Sequence, residues 1–173
     1  MNVSEAIRTK RAIRKFQGKP LPDEVIHAIL NAGRRSQSSK NEQAWQFIAI
    51  RDKSILEALS KCGTYAGHLA GAALAVAILT PDPKAKFQTM FDAGQAAAFM
   101  QLAAWELGIG SVPASIYEGE KAREILGFPP DWHLRTALSF GYPLDEEKLS
   151  AAPKKGGRRS LEENVHWDRW SES

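Results

Sequence analysis

Three polar clusters, far apart in the sequence, carry the groups that could do chemistry. The first is "RTKRAIRKF", where Arg8, Lys10, Arg11, Arg14 and Lys15 place five cations within eight positions. The second is "SQSSKNEQAW", which offers hydroxyls and amides on Ser38, Ser39, Asn41 and Gln43. The third is "KKGGRRSLEE", Lys154 to Glu163. Guanidinium and ammonium groups suit a phosphate, because they neutralise it and donate several hydrogen bonds at once. Hydroxyls and amides suit the edge of a neutral heterocycle or a polyol chain. Each cluster alone also fits a solvated loop. Together they describe a site for a molecule with a phosphate at one end and a polar ring at the other.

Other chemistries lack their residues. There is no Walker loop, GxGxxG, HExxH or GxSxG. His27, His68, His133 and His166 show no paired metal spacing, so no metal site and no histidine role is expected. Cys62 is the only cysteine, which excludes a disulfide framework or a Cys-rich metal site within one chain and fits a reducing compartment. A net charge of +3 gives no argument for nucleic acid. The most apolar stretch, Ala70 to Thr80, is too short to span a bilayer. The N-terminus lacks the apolar run of a signal peptide. The expected setting is cytoplasmic, with no membrane and no nucleic-acid partner.

The elements that must position these clusters belong to one domain over residues 1–173, with 43% hydrophobic and 25% charged residues. Asn2 can cap a first helix, with Glu5 three positions on. If that helix ran on, Lys10 and Arg14 would share the inner face with Val3, Ala6 and Ile7. The alternative is a turn near Arg11 and an extended run through Ile13 and Phe16. A second helix is expected from about Asp23. "AWQFIAIRD" alternates as a strand with Trp45, Phe47 and Ala49 on one side. A helix over about 54–60 precedes "GAALAVAIL", which reads as a fully buried strand stopped by "TPDP". A long alanine-rich helix covers about 87–107, with Gly108 as its stop. A strand at 111–116, a helix at 118–126 and a strand at 134–140 complete the domain. The tail from Pro143 ends in "VHWDRW". Two tryptophans there either fold back on their own domain or cover a partner.

Five segments, in order, resemble the nitroreductase family of FMN-dependent oxidoreductases. "RTKRAIRKF" resembles its opening Arg-Arg-Ser-x-Arg-x-Phe element, and "SQSSKNEQAWQFIAI" its Pro-Ser-x-x-Asn-x-Gln-Pro-Trp-x-Phe strand entry. "FDAGQAAAFMQLAAWELGIGSVP" is similar to the family's central helix and following strand. "REILGFPPDWHLRTALSFGYP" and "RRSLEENVHWDRW" resemble its last two segments.

The resemblance implies an α+β fold, with a mixed central sheet flanked by helices. It implies a homodimer with FMN at the interface, the alanine-rich helix lying there and the 143–173 tail wrapping the partner. It places Lys10, Arg11, Ala12 and Arg14 in the first FMN-binding element, with Arg14 facing the negative charge of reduced flavin at N1 and the C2 carbonyl. Arg158 and Arg159, with Lys155, match the phosphate contacts. Ser38, Ser39 and Asn41 match residues that reach the flavin from the other subunit, and Gln88 adds a polar contact.

The implied reaction takes a hydride from NAD(P)H and passes the electrons to a small-molecule acceptor: a nitroaromatic, a quinone or an activated alkene. The sequence is ping-pong, and no catalytic side chain is assigned. Reductive dehalogenation, flavin fragmentation and a non-catalytic flavin-nucleotide module remain as alternatives. The chain departs from the family pattern at Ala12, Gln37 and Ala44. It departs also at Ser115 and Ile116, where Glu-Gly is common near flavin N5.

Overall fold

The first helix, α1 (Val3–Thr9), begins because Asn2 Oδ1 accepts the Glu5 N–H at 2.9 Å. Such a cap contributes about 1 kcal/mol. In the computed structural model, which describes residues 1–149 and 157–170, this helix ends at Lys10 and does not continue to Arg14. The extended alternative is the one observed. Ala12 makes a parallel bridge with Ser111, and Phe16 an antiparallel bridge with Pro143. Ile13 is buried, while Arg14 and Lys15 point outward.

The remaining elements up to the last strand follow the expected order, with ends shifted by one to three residues, and a short last helix was not expected. They are α2 (Asp23–Arg34), β1 (Gln46–Ile50), α3 (Lys53–Leu59), β2 (Leu74–Thr80), α4 (Gln88–Glu106), β3 (Gly110–Ser115), α5 (Gly119–Leu126), β4 (His133–Gly141) and α6 (Leu161–Asn164). The sheet order is β1-β2-β4-β3, and every neighbouring pair is antiparallel. The fold is thus α+β with a central sheet flanked by helices. Among the described residues its parallel pairing is confined to the Ala12–Ser111 bridge.

All seven residues of β2 are buried because helices cover both faces of the sheet. Leu74, Val76 and Ile78 pack with Ile26 and Ile29 of α2 and with Ala96 and Met100 of α4. Ala75, Ala77 and Leu79 pack with Leu56 and Leu59 of α3 and Ala122 of α5. An uninterrupted apolar run is what such a strand requires. Trp45, just before β1, and Phe47 on it join the α2/α4 layer as expected, but Ala49 is exposed. In β4 the register shifts between the pairs Ile78–Thr136 and Leu79–Leu134, leaving Arg135 as the extra residue of a bulge. Leu134 and Ala137, three apart, therefore face the same layer.

Helix α4 stops as its sequence predicts. Gly108 takes φ +73°, and Ile109 N–H and Gly108 N–H return to the carbonyls of Ala104 and Trp105 at 2.8 and 3.1 Å. Those are the two bonds of a Schellman cap.

Two further glycines admit the basic segment. A Cβ at Gly110 would lie 2.7 Å from Ile13 Cβ, and one at Gly141 would lie 2.9 Å from Phe16 Cδ1. The side chains that anchor residues 12–16 occupy space that only glycine leaves free.

Gly110→Ala must therefore push Ile13 off the end of the sheet. The expected loss of stability is about 1–3 kcal/mol, read from the urea midpoint. Gly18→Ala, where a Cβ meets nothing within 4 Å, serves as the control. Equal midpoints for the two variants would contradict this packing.

Candidate functional site

The first cluster is shaped by the turn at Lys10. The Lys10 ammonium reaches Gln101 Oε1 on α4. Burial pushes its pKa below the ordinary value, and the neighbouring Arg14 charge adds to that push. Arg11 folds over the end of α1, where Nη1 donates to the carbonyls of Arg8 and Lys10 at 3.0 and 3.1 Å, and its buried Nε has no partner among the described residues. Ala12 uses its backbone in the bridge to Ser111. Arg14 is exposed and, with Lys15, borders a recess of about 290 Å³ shared with Pro143 and Asp145. Among the described residues none of these cations forms an ion pair with a carboxylate. A set of cations crowded together without carboxylate partners fits an anionic ligand such as a phosphate-bearing nucleotide.

The second cluster lies elsewhere on the chain. Ser39 N–H donates to Asp92 Oδ2 on α4 at 3.0 Å, and Gln43 N–H donates to Ser38 Oγ at 3.0 Å. Lys86 and Glu42 form an ion pair that ties the same loop to the start of α4. Gln88, the first residue of α4, belongs to this end. Lys40, Asn41 and Gln43 all have positive φ, at 51°, 55° and 50°. Non-glycine residues held so cost of order 1–3 kcal/mol each, and such strain concentrates at functional sites. Asp92 and Gln101 are nine residues apart on α4, roughly 13 Å at 1.5 Å per residue. One chain therefore holds its cationic cluster and its hydroxyl-amide cluster at different levels of α4, and does not bring them together.

In the third cluster, Arg158 and Arg159 are exposed, just before α6. Ser160 caps α6 in a reciprocal capping box with Glu163. Lys154 and Lys155 lie outside the described residues. Trp167 and Trp170 are 82% and 81% exposed, and Trp170 stacks on His166 at 4.1 Å.

Two residues without an assigned role in the sequence are drawn in. Asp92 is buried in an alanine-rich helix, and a lone acid inside "FDAGQAAAF" was the available signal. His68 gave none. Its Nδ1 lies 2.8 Å from Ser139 Oγ, which in turn donates to the Val112 carbonyl at 3.3 Å. The tautomer decides which of Nδ1 and Ser139 Oγ donates; the second ring nitrogen is Nε2. That Nε2 is buried without a partner among the described residues. Burial holds the imidazole pKa below its ordinary 6.5, and Arg14 pushes the same way, against a smaller opposing effect of the Pro113 backbone.

The sign of the resulting pH dependence follows. Below about pH 6.5 the unfolded chain takes up a proton that the folded imidazole resists, so His68 makes stability fall as pH falls. His68→Gln should lose less stability than the parent between about pH 8 and about pH 5, measured by urea midpoints. Parallel losses would contradict the assignment.

Comparison with known proteins places the chain in a family. The sequence model of the nitroreductase family matches residues 7–62 and 60–142. A protein of Archaeoglobus fulgidus, provisionally named an NADH dehydrogenase/NAD(P)H nitroreductase, is 34% identical over 95% of this chain and 96% of its own length. The solved structure of an FMN-dependent nitroreductase from Clostridium difficile superposes with a TM-score of 0.82 at 29% identity, covering 95% of this chain and 98% of that one. The NADPH:FMN oxidoreductase of Vibrio harveyi, solved with NAD+, shares the fold with a TM-score of 0.86 at 22% identity, over 98% of this chain and 78% of that one. With the family model matched over most of its length and a relative 34% identical along nearly all of it, the chain belongs to the nitroreductase family.

Proposed function

We propose that this nitroreductase-family oxidoreductase binds FMN between two copies of the chain and uses NAD(P)H to reduce a nitroaromatic, a quinone or an activated alkene. The observation that carries the reading is the cationic segment 10–16, wedged against Gly110 and Gly141 with no carboxylate in ion pair with it among the described residues. The names of the Archaeoglobus and Clostridium relatives, an NAD(P)H nitroreductase and an FMN-dependent nitroreductase, support the choice of cofactors. Bound FMN would supply the redox chemistry, accepting a hydride from NAD(P)H and passing two electrons to the acceptor in a second half-reaction, a ping-pong sequence.

The chain's own share is charge and position. Arg14 would set a fixed positive charge against the pyrimidine edge of the ring, and Lys10 and Arg11 would hold the same end. Arg158 and Arg159 would reach the phosphate. Ser38, Ser39, Asn41 and Gln88 would contact the flavin bound mainly by the other chain. The separation of the two clusters along α4 supports this division.

Exposed apolar surface supports a homodimer. Phe87, Phe91 and Phe99 of the α4 region are 75%, 72% and 43% exposed, and Val3 and Ile7 of α1 are 72% and 63% exposed. A groove of about 320 Å³ runs between α1 and α4 beside Phe99 and Leu102. Monomers seldom leave so continuous an apolar stripe in water. Trp167 and Trp170 leave large apolar rings in water, which favours a tail laid on the partner. No described helix is long and apolar enough to cross a membrane, and the reading keeps a cytoplasmic setting. Pro81–Phe87 joins β2 directly to α4, which leaves little chain for the lid that dehalogenating or flavin-fragmenting chemistry would need.

Purified protein should be yellow and should bleach without a lag on adding NADH or NADPH. Arg14→Ala should weaken FMN and lower its potential, and Arg158→Ala should cost about 1.5–3 kcal/mol of FMN affinity as a lost charge-assisted contact. FMN titration of both variants gives the answer, and parental affinity in both would overturn the residue assignment. Asp92→Ala should also weaken FMN, by about tenfold, because the loop at 38–43 loses its anchor. Unchanged affinity there would separate that loop from the site.

A further inference from the structure

A second recess lies away from the segment 10–15, between the first turns of α4 and the sheet. It is a cleft of about 100 Å³ at the end of β2 and the start of β4. Its sheet wall carries Thr80, Thr136 and Arg135; its helix wall carries Met90, Ala93 and Ala97. The lining is mostly hydrocarbon, Ile78 of the sheet included, and its donors, Thr80, Thr136 and Arg135, all lie on the sheet side. Thr80 is 2% exposed, and its Oγ1 has no hydrogen-bond partner among the described residues. A buried hydroxyl without a partner is unfavourable unless something completes it. Arg135 sits at the bulge of β4, exposed, and its side chain enters no ion pair among the described residues.

The cleft is also well placed. Thr136 pairs with Ser115 across the β3–β4 ladder, and Ile116 N–H donates to the Arg135 carbonyl at 2.9 Å. Ser115 and Ile116 are the residues that the FMN reading sets beside the reactive edge of the ring.

We propose that this cleft seats a planar two-oxygen group of the electron acceptor, a carboxylate in preference to a nitro group. Thr80 and Thr136 donate to its oxygens, and Arg135 balances its charge at the rim. A carboxylate fills a space of this size, so an aromatic ring attached to it stays at the mouth, against Met90. The favoured acceptors are then small aromatic or unsaturated acids. Their role as acceptors rests on the FMN reading; their binding does not.

Benzoate is a probe that cannot be reduced. Its binding to the full-length protein, with and without added FMN, is measured by calorimetry for the parent, Thr80→Val and Arg135→Gln. Melting temperature shows that each variant folds. The proposal expects saturable benzoate binding by the parent, weaker by roughly tenfold in each variant, and still weaker binding of neutral benzyl alcohol. On flavin-loaded protein, the kcat/KM ratio of 4-nitrobenzoate over 4-nitrobenzyl alcohol should fall in Arg135→Gln, through KM. No benzoate binding by the parent, or equal binding in all three proteins, overturns the proposal. The expected benzoate pattern in protein that never retains FMN would uphold the cleft and refute the flavin reading instead.

Discussion

Everything at the candidate site depends on how residues 10–16 are pinned beside the sheet. The backbone there is not a strand of the sheet proper. It is held by Ile13 N–H to the Ser111 carbonyl at 3.1 Å, by Leu144 N–H to the Lys15 carbonyl at 3.0 Å, and by Gln17 N–H to the Tyr142 carbonyl at 2.9 Å. Ile13 and Phe16 fill the gaps over Gly110 and Gly141, so the intervening Arg14 and Lys15 have to face outward. Burial first, and then the neighbouring Arg14 charge, push the Lys10 pKa down, so crowding these cations has a cost. Folding tolerates that cost because apolar packing on either side of the cations outweighs it, and a bound anion would relieve it.

The same logic of local cost and external support governs the loop at 38–43. Three non-glycine residues with positive φ hold their shape because Asp92, from within a helix core, accepts the Ser39 N–H. Helix α4 thus serves two purposes along its length. Toward its start it fixes the strained loop; toward its end Gln101 receives Lys10, and Trp105 Nε1 donates to Thr9 Oγ1 at 2.9 Å, fastening α1. Its alanines allow close packing against α2, where Gly33 leaves room for Met100. The apolar residues left facing outward are then a consequence of a helix that is hydrophobic around most of its circumference.

Much of this was legible in the sequence, for identifiable reasons. Asn2, Gly108 and the unbroken apolar run of β2 act locally, and each produced the element it predicted. The end of α1 was not decidable locally. Both a continued helix and an extended run satisfied the spacing, and Gly110 and Gly141, about a hundred residues away, settled it. Arg14 emerged as an exposed cation, but Arg11 turned out to spend part of its guanidinium on the carbonyls ending α1. The bulge at Arg135 had no signal, because it arises from the pairing of β4 with β2. His68 was invisible for the same reason: its environment is made by Ser139, Val112 and Arg14, none of them near it in sequence.

The central claim is that one ligand site takes its cations from one chain and its hydroxyls and amides from another. Mixed dimers test it directly. Arg14→Ala damages one half of each site, and Asn41→Ala the other. In a purified dimer with one variant in each chain, a site shared between chains puts both defects into a single site and leaves its twin intact. Titration of that mixed dimer should find one FMN bound with parental affinity, although neither variant homodimer binds FMN tightly. A mixed dimer with no parental-affinity site would contradict the account.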